Sequence, residues 1–183
     1  CPACRADLVD TPSSLRCSAC AADYPVRGGK IYFIDVPDAT DELDIVKYKL
    51  KKIFGKAYYA AGIAVFAPTF PFNYRAAVLR FADRDEQLVI DIGAGNHRID
   101  HRIITIDLFD HAATDIVCDL SNLPFRDESV VAFISRSVLE HVPGLTQICR
   151  NLARATLTSG LAAYLIPFMF PFHASPHDYQ RLT

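Results

Sequence analysis

The run Val89-Ile90-Asp91-Ile92-Gly93-Ala94-Gly95-Asn96, followed by Ile103-Ile104-Thr105-Ile106-Asp107, constrains the fold more than any other stretch of the chain. It reads as an apolar strand ending in an acid, a tight glycine turn, and a second apolar strand ending in an acid. Further strand patterns follow at 114–118, 130–135 and 161–166, alternating with turns and helical stretches. Such alternation predicts an α/β fold with a parallel sheet and crossover connections. In such sheets ligands lie beyond the carboxyl ends of the strands, where strand order reverses. Asp91 ends the first strand, Asp107 the second, and Asp119 follows the third in Val117-Cys118-Asp119-Leu120. Gly93 and Gly95 can take backbone angles barred to other residues and carry no Cβ to block a ligand.

Two ligand classes suit this arrangement. A nicotinamide dinucleotide wants G-x-G-x-x-G, and the third glycine position here is Arg98. An acid just before the first glycine also suits a ligand bearing an amino-acid group better than a pyrophosphate, which it would repel. Asp107 at its strand tip can accept two hydrogen bonds from a ribose diol, and Asp119 can accept from an adenine amino group. The competing reading is that these acids cap helices or loops.

The second strong signal is at the start of the chain. Cys1-Pro-Ala-Cys4 and Cys17-Ser-Ala-Cys20 are two C-x2-C knuckles. Each turns its thiolates toward one point, and two together close a tetrahedron around zinc. A site of four thiolates has no open position, which predicts a structural ion. So short a segment buries little surface, so the metal would supply much of its folding free energy. Two disulfides or a redox C-x-x-C pair are the competing readings. Cys118 and Cys149 read as small core residues.

Residues 1–36 thus form one unit, with a short strand at 30–34. Residues 37–83 read as a helical linker or cap: Leu43, Val46, Leu50, Ile53, Phe54 and Ala57 recur at helical spacing, and Asn73 suits the cap of a further helix. Residues 84–183 carry the parallel sheet. The chain has 183 residues, is 51% hydrophobic and has a formal charge of -2, which offers no electrostatic argument for a nucleic-acid partner. No apolar run is long enough to span a bilayer, and no targeting segment is visible, which points to the cytoplasm. The stretch from Tyr58 to Pro68 is apolar and aromatic. It reads as a helix packed on the sheet, with a roof over the substrate pocket or a peripheral membrane contact as the alternatives.

Residues 88–183 resemble the class I S-adenosylmethionine-dependent methyltransferases of the type 11 sort. The resemblance runs through VIDIGAGNHR (89–98), ITIDLF (104–109), DIVCDLSNLPFRDESVVAFISRSVLEHVP (115–143) and LTSGLAAYLIPF (157–168). It implies a Rossmann-like sheet with S-adenosylmethionine as cofactor. Asp91, Gly93 and Gly95 would line the methionine part, Asp107 and Leu108 the ribose, and Asp119 and Leu120 the adenine. Ser135 and Arg136 would border the methionine end and the mouth where the methyl group leaves. The chain departs from the family at His97, in its short first crossover, and in showing five of the usual seven strands. The quartet with the Ala22–Ile31 stretch resembles the small zinc-ribbon proteins that partner methyltransferases, which implies a scaffolding role and a protein partner through the ribbon.

The tail, PFMFPFHASPHDYQRLT (167–183), suggests a loop over the cleft mouth. His173 and His177 are candidates for the base that takes a proton from the acceptor, with a solvated loop as the competing reading. His141 reads as structural. The tail and short crossover resemble methyltransferases that sit among enzymes of cell-surface glycan and lipid-linked sugar synthesis. The expected function is methyl transfer to a small-molecule, glycan or lipid-linked acceptor. The alternative is a non-catalytic zinc-ribbon/Rossmann module that binds another protein.

Overall fold

A computed structural model describes residues 1–37, 53–54, 73–82, 87–167 and 177–180. Its nine described strands form one sheet. They are β1 (Leu8–Asp10), β2 (Ser14–Cys17), β3 (Asp23–Arg27), β4 (Lys30–Tyr32), β5 (Val89–Ile92), β6 (Ile104–Asp107), β7 (Ile116–Val117), β8 (Val130–Arg136) and β9 (Thr156–Leu165). Their order across the sheet is β1-β2-β3-β4-β7-β6-β5-β8-β9. The first four strands pair antiparallel, and every pairing from β4 to β9 is parallel. Chain order runs outward from β5 through β6 to β7, then returns to β8 on the other side. The β5/β8 boundary is therefore the switch point, with Asp91 opposite Ile134 and Ile92 opposite Ser135.

β5, β6, β7 and β8 arise within two residues of where the sequence predicted them, whereas β9 begins at Thr156, ahead of the expected 161. β5, β6 and β8 are nearly continuous apolar runs because both faces are covered. Ile90, Ile92, Ile106, Phe133 and Val130 enter one core cluster with Ile148, Leu152 and Ala155 of helix α2 (Leu145–Ala155). Val89, Ile103, Ala132 and Ile134 enter a second cluster on the opposite face, under Val78 and Ala82 of helix α1 (Tyr74–Ala82). Asn73 caps α1 as expected, its Oδ1 accepting from the amide of Ala76 at 3.0 Å. Strand alternation then puts Asp91, Asp107 and Arg136 on the α1 side, in step with Val89, Ile103 and Ile134.

The sequence did not foretell how the cysteine-rich unit joins the sheet. Its last strand, β4, pairs parallel to β7, with Ile31 opposite Ile116 and Tyr32 opposite Val117. The connection is reinforced by side chains. Lys30 reaches Asp110 at 2.6 Å and the carbonyl of His111 at 2.7 Å, and the Tyr32 hydroxyl donates to Asp110 at 2.8 Å. On the other flank Arg5 donates to the carbonyl of Leu123 at 2.9 Å, and Arg126 pairs with Asp7 at 2.8 Å.

Between β5 and β6 the expected short crossover helix is absent; residues 93–103 are turns and extended chain. Arg98 takes over the bracing. Its guanidinium forks onto Asp115 at 2.9 and 2.6 Å and donates to the carbonyls of Ile103 and Ala113. Asp115 in turn accepts from the amide and hydroxyl of Thr105. The position that excludes a dinucleotide is thus a staple across the missing helix. Arg98→Ala is expected to lower stability by about 1–2 kcal/mol, after discounting for a pair one-third exposed, as read from urea midpoints.

Of the expected linker, the described part is Ile53, Phe54 and residues 73–82; Tyr58–Pro68 lies outside the described residues. Cys118 is buried, as expected, and burial pushes its thiol up to about 12. Cys149 is not a core residue: it sits on an exposed position of α2, since Ile148 and Leu152 define that helix's inner face. Among the described residues no helix is long and apolar enough to cross a membrane.

Candidate functional site

The site lies at the carboxyl edge of β7, β6 and β5, where Asp119, Asp107 and Asp91 come in a row. Each acid has a different environment. Asp107 is bound to the chain on both oxygens. Oδ2 accepts from the amide of Gly95 at 2.9 Å and Oδ1 from the amide of Phe109 at 3.0 Å. It therefore fixes the glycine loop against its own strand, helped by the amide of Gly93, which donates to the carbonyl of Ile106 at 2.8 Å. Asp119 caps the helical turn Leu120–Asn122 through the amide of Ser121, at 2.8 Å. Both carboxylates keep lone pairs for a ligand, since each oxygen can accept more than one bond.

Asp91 is only 5% exposed. Burial pushes its carboxyl up to about 7; Arg136 pulls it down and Asp107 adds to the rise. The folded chain therefore holds a proton that the unfolded chain, with an ordinary value of 3.8, has released. Stability must fall as pH rises from about 4 to about 7, then level off. Urea midpoints across that range should show this slope, and Asp91→Asn should flatten it.

Both loop glycines need their freedom. Gly93 has φ +63°, and an added Cβ would meet the Cγ atoms of Val138 at 2.5 and 2.8 Å. Gly95 has φ +59°, and nothing lies within 4 Å of an added Cβ. The space over Gly95 is thus open where a ligand would approach the backbone.

The remaining predicted residues divide. Leu108 is exposed beside Asp107, and Leu120 is half-buried against the main core. Ser135 and Arg136 follow the same strand but, by alternation, face opposite sides. Ser135 is buried and Arg136 is exposed near Asp91. The sequence reading missed Tyr74, in the first turn of α1. Its hydroxyl is buried with no hydrogen-bond partner, and burial, with Asp91 adding, pushes it up to about 12. The α1 periodicity marked Tyr74 only as helix; its relation to Asp91 needs the sheet.

His173 lies outside the described residues. His177 belongs to a short segment strapped to the turn after β8. The Tyr179 amide donates to the carbonyl of Glu140 at 2.8 Å, and the Gln180 side chain donates to Leu139 at 2.7 Å. The imidazole of His141, in the turn itself, meets the strap. Its Nδ1 is 3.1 Å from Asp178, and its Nε2 is 3.7 Å from Glu140. The His177 ring instead meets Tyr179 edge-on at 4.7 Å.

The cysteine quartet gathers as its spacing predicted. The four sulfurs all lie within 4.8 Å of one another, with Cys1 and Cys20 at 3.7 Å and Cys4 and Cys17 at 3.4 Å. A zinc tetrahedron with arms of about 2.3 Å has edges of about 3.8 Å. These contacts match such edges and are far longer than a disulfide of about 2.0 Å. Amides of Ala19 and Cys20 donate to Cys17 Sγ, both at 3.4 Å, and lower its thiol to about 7.

A parallel sheet with this strand order, a glycine loop after β5 and acids on three neighbouring strand tips make a Rossmann-like arrangement whose carboxyl edge can receive a ligand. Residues 90–164 match the family model described as a methyltransferase domain. No curated protein matches the chain. Among solved structures it is similar to the YcgJ protein from Bacillus subtilis, at 19% identity and TM-score 0.44, covering 51% of this chain and 50% of that one. It is also similar to phosphoethanolamine N-methyltransferase 2 from Haemonchus contortus, in complex with S-adenosyl-L-methionine. There the identity is 21%, the TM-score 0.46 and the coverage 75% and 36%. A third is geranyl diphosphate C-methyltransferase from Streptomyces coelicolor, at 14% identity, TM-score 0.42 and coverage 49% and 42%. The chain spans half the length of the first of these and less of the others.

Proposed function

We propose that the chain transfers a methyl group from S-adenosylmethionine to a small-molecule, glycan or lipid-linked acceptor. The observation that carries this reading is Asp107. It holds the amide of Gly95 and so joins the glycine loop to the second strand tip, beside open space. Asp107 and Leu108 would meet the ribose, Asp119 and Leu120 the adenine, and Asp91, Gly93, Gly95, Ser135 and Arg136 the methionine end. The orphaned hydroxyl of Tyr74 and the open space over Gly95 fit such a ligand.

When bound, the sulfonium supplies an electrophilic methyl group. The chain's part is to align an acceptor atom about 3 Å from that carbon and keep water out. A hydroxyl acceptor must lose its proton during transfer, and the candidates for taking it are His173 and His177. Residues 1–36 serve as a ribbon around a structural zinc held by Cys1, Cys4, Cys17 and Cys20. Residues 37–83 serve as linker or cap and 84–183 as the methyltransferase domain. The ribbon is also the surface proposed for a protein partner.

The capping bond of Asp119 and the backbone amides on both oxygens of Asp107, structural roles that need no ligand, favour one other reading, a non-catalytic interaction module. Incubation with methyl-tritiated S-adenosylmethionine and separate glycan, lipid and small-molecule extracts distinguishes the two. Transfer of label into one extract, lost in Asp107→Ala, is expected. Label transfer no greater than that of the Asp107→Ala variant in every extract would favour the module.

A further inference from the structure

Four thiolates around one divalent cation carry two negative charges in excess. Withdrawing such sulfurs from water is costly unless hydrogen-bond donors reach them. Cys4 and Cys20 are exposed, so water can donate to both. Cys17 is buried and Cys1 is half-buried. These two are the sulfurs to which the chain brings donors of its own. Cys17 receives the amides of Ala19 and Cys20, from within its own knuckle. Cys1 is met from outside both knuckles: the hydroxyl oxygen of Tyr24, in β3, lies 3.3 Å from its sulfur.

The direction of that bond follows from the metal. A zinc-bound thiolate has no proton, so it can only accept, while a phenol at neutral pH has a proton to give. Tyr24 is buried, and phenylalanine would fill its place with no hydroxyl to satisfy. The ring has a contact of its own. It packs on Phe33, which joins the main core and whose amide donates to the carbonyl of Val117 in β7 at 2.9 Å. One side chain thus touches the cysteine site with its oxygen and the docked end of the ribbon with its ring.

We propose that Tyr24 is a positioning residue of the zinc site, its hydroxyl donating to the Cys1 thiolate while its ring, seated on Phe33, fixes where that donor stands. The inference rests on the zinc reading and goes beyond it by giving the site a partner outside the four cysteines. Outer partners of this kind orient a ligand and disperse its charge, and losing one typically weakens metal binding about 10–100-fold. The hydroxyl and the ring make separate contacts, so each can be removed without the other.

The test uses the full chain and two substitutions. Tyr24→Phe removes the hydroxyl and keeps the ring. Phe33→Leu removes the ring contact and keeps the hydroxyl. Zinc affinity is read by competition with a chromogenic chelator, and cobalt(II) loaded in place of zinc serves as the spectroscopic probe. Tyr24→Phe is expected to weaken zinc about tenfold or more. It should also move the thiolate-to-cobalt charge-transfer band to longer wavelength, because a thiolate that has lost its donor gives up an electron more readily. With zinc in excess its thermal midpoint should stay close to that of the wild type, since the ring remains. Phe33→Leu should lower that midpoint while zinc affinity and the band stay in place. Unchanged zinc affinity or an unmoved band in Tyr24→Phe would overturn the inference, and so would an equal loss of affinity in Phe33→Leu. A wild-type chain that takes up neither metal overturns the zinc reading itself and this assignment with it.

Discussion

Asp107→Ala is expected to weaken S-adenosylhomocysteine binding by about a hundredfold, the largest effect of any single substitution in the cleft. Two contributions combine. The proposed ribose contacts are hydrogen bonds to a charged group, each worth about 1.5–3 kcal/mol. The carboxylate also holds the amides of Gly95 and Phe109, so its loss releases the loop that the ligand must approach. Asp107→Asn keeps one carbonyl acceptor and should lose about tenfold. Calorimetry separates these outcomes, and a wild-type affinity in the alanine variant would remove the ribose assignment. Stability should fall as well, by about 1–3 kcal/mol, because the side chain is 10% exposed and its loss leaves the Gly95 and Phe109 amides unpaired.

Removal of the proposed zinc is expected to give the second large effect. The ribbon's own core is small: Tyr24 packs on Phe33 with ring centroids 4.8 Å apart, and the buried Cys17 is itself a ligand candidate. Structural zinc sites contribute about 10–16 kcal/mol in small peptides, which matches or exceeds the whole stability of a typical domain. Stripping the metal should therefore unfold β1–β3 and free β4 from β7. The consequence reaches the cleft, because Lys30 and Tyr32 hold Asp110, three residues beyond Asp107. We expect one zinc per chain by elemental analysis. On chelation we expect a drop in thermal midpoint and a several-fold weaker affinity for S-adenosylhomocysteine. Cys17→Ser should reproduce both losses. A chain without zinc, whose midpoint ignores the chelator, would contradict the ribbon assignment.

What could be read from the sequence followed from local periodicity. β5, β6 and β8 are apolar runs of strand length between turn residues, and they appear within one or two residues of their expected bounds. The cysteine knuckles were legible because ligand spacing is itself the geometry. Other features depend on contacts between distant segments, which no local pattern encodes. The parallel pairing of Ile31 with Ile116 is one. Another is Arg98, whose fork onto Asp115 explains how a crossover of about ten residues closes without a helix. Cys149 was misread because its residue type is apolar while its helix phase is outward. The orphaned Tyr74 was invisible because helical spacing shows which face is buried, not what the buried hydroxyl meets.

The most direct measurement is a calorimetric titration of S-adenosylhomocysteine into the zinc-loaded chain, with NAD as the comparison ligand. The account predicts one site per chain, saturable at micromolar ligand, weakened in Asp107→Ala and blind to NAD. No heat of binding from S-adenosylhomocysteine, or equal affinity for NAD, would contradict it.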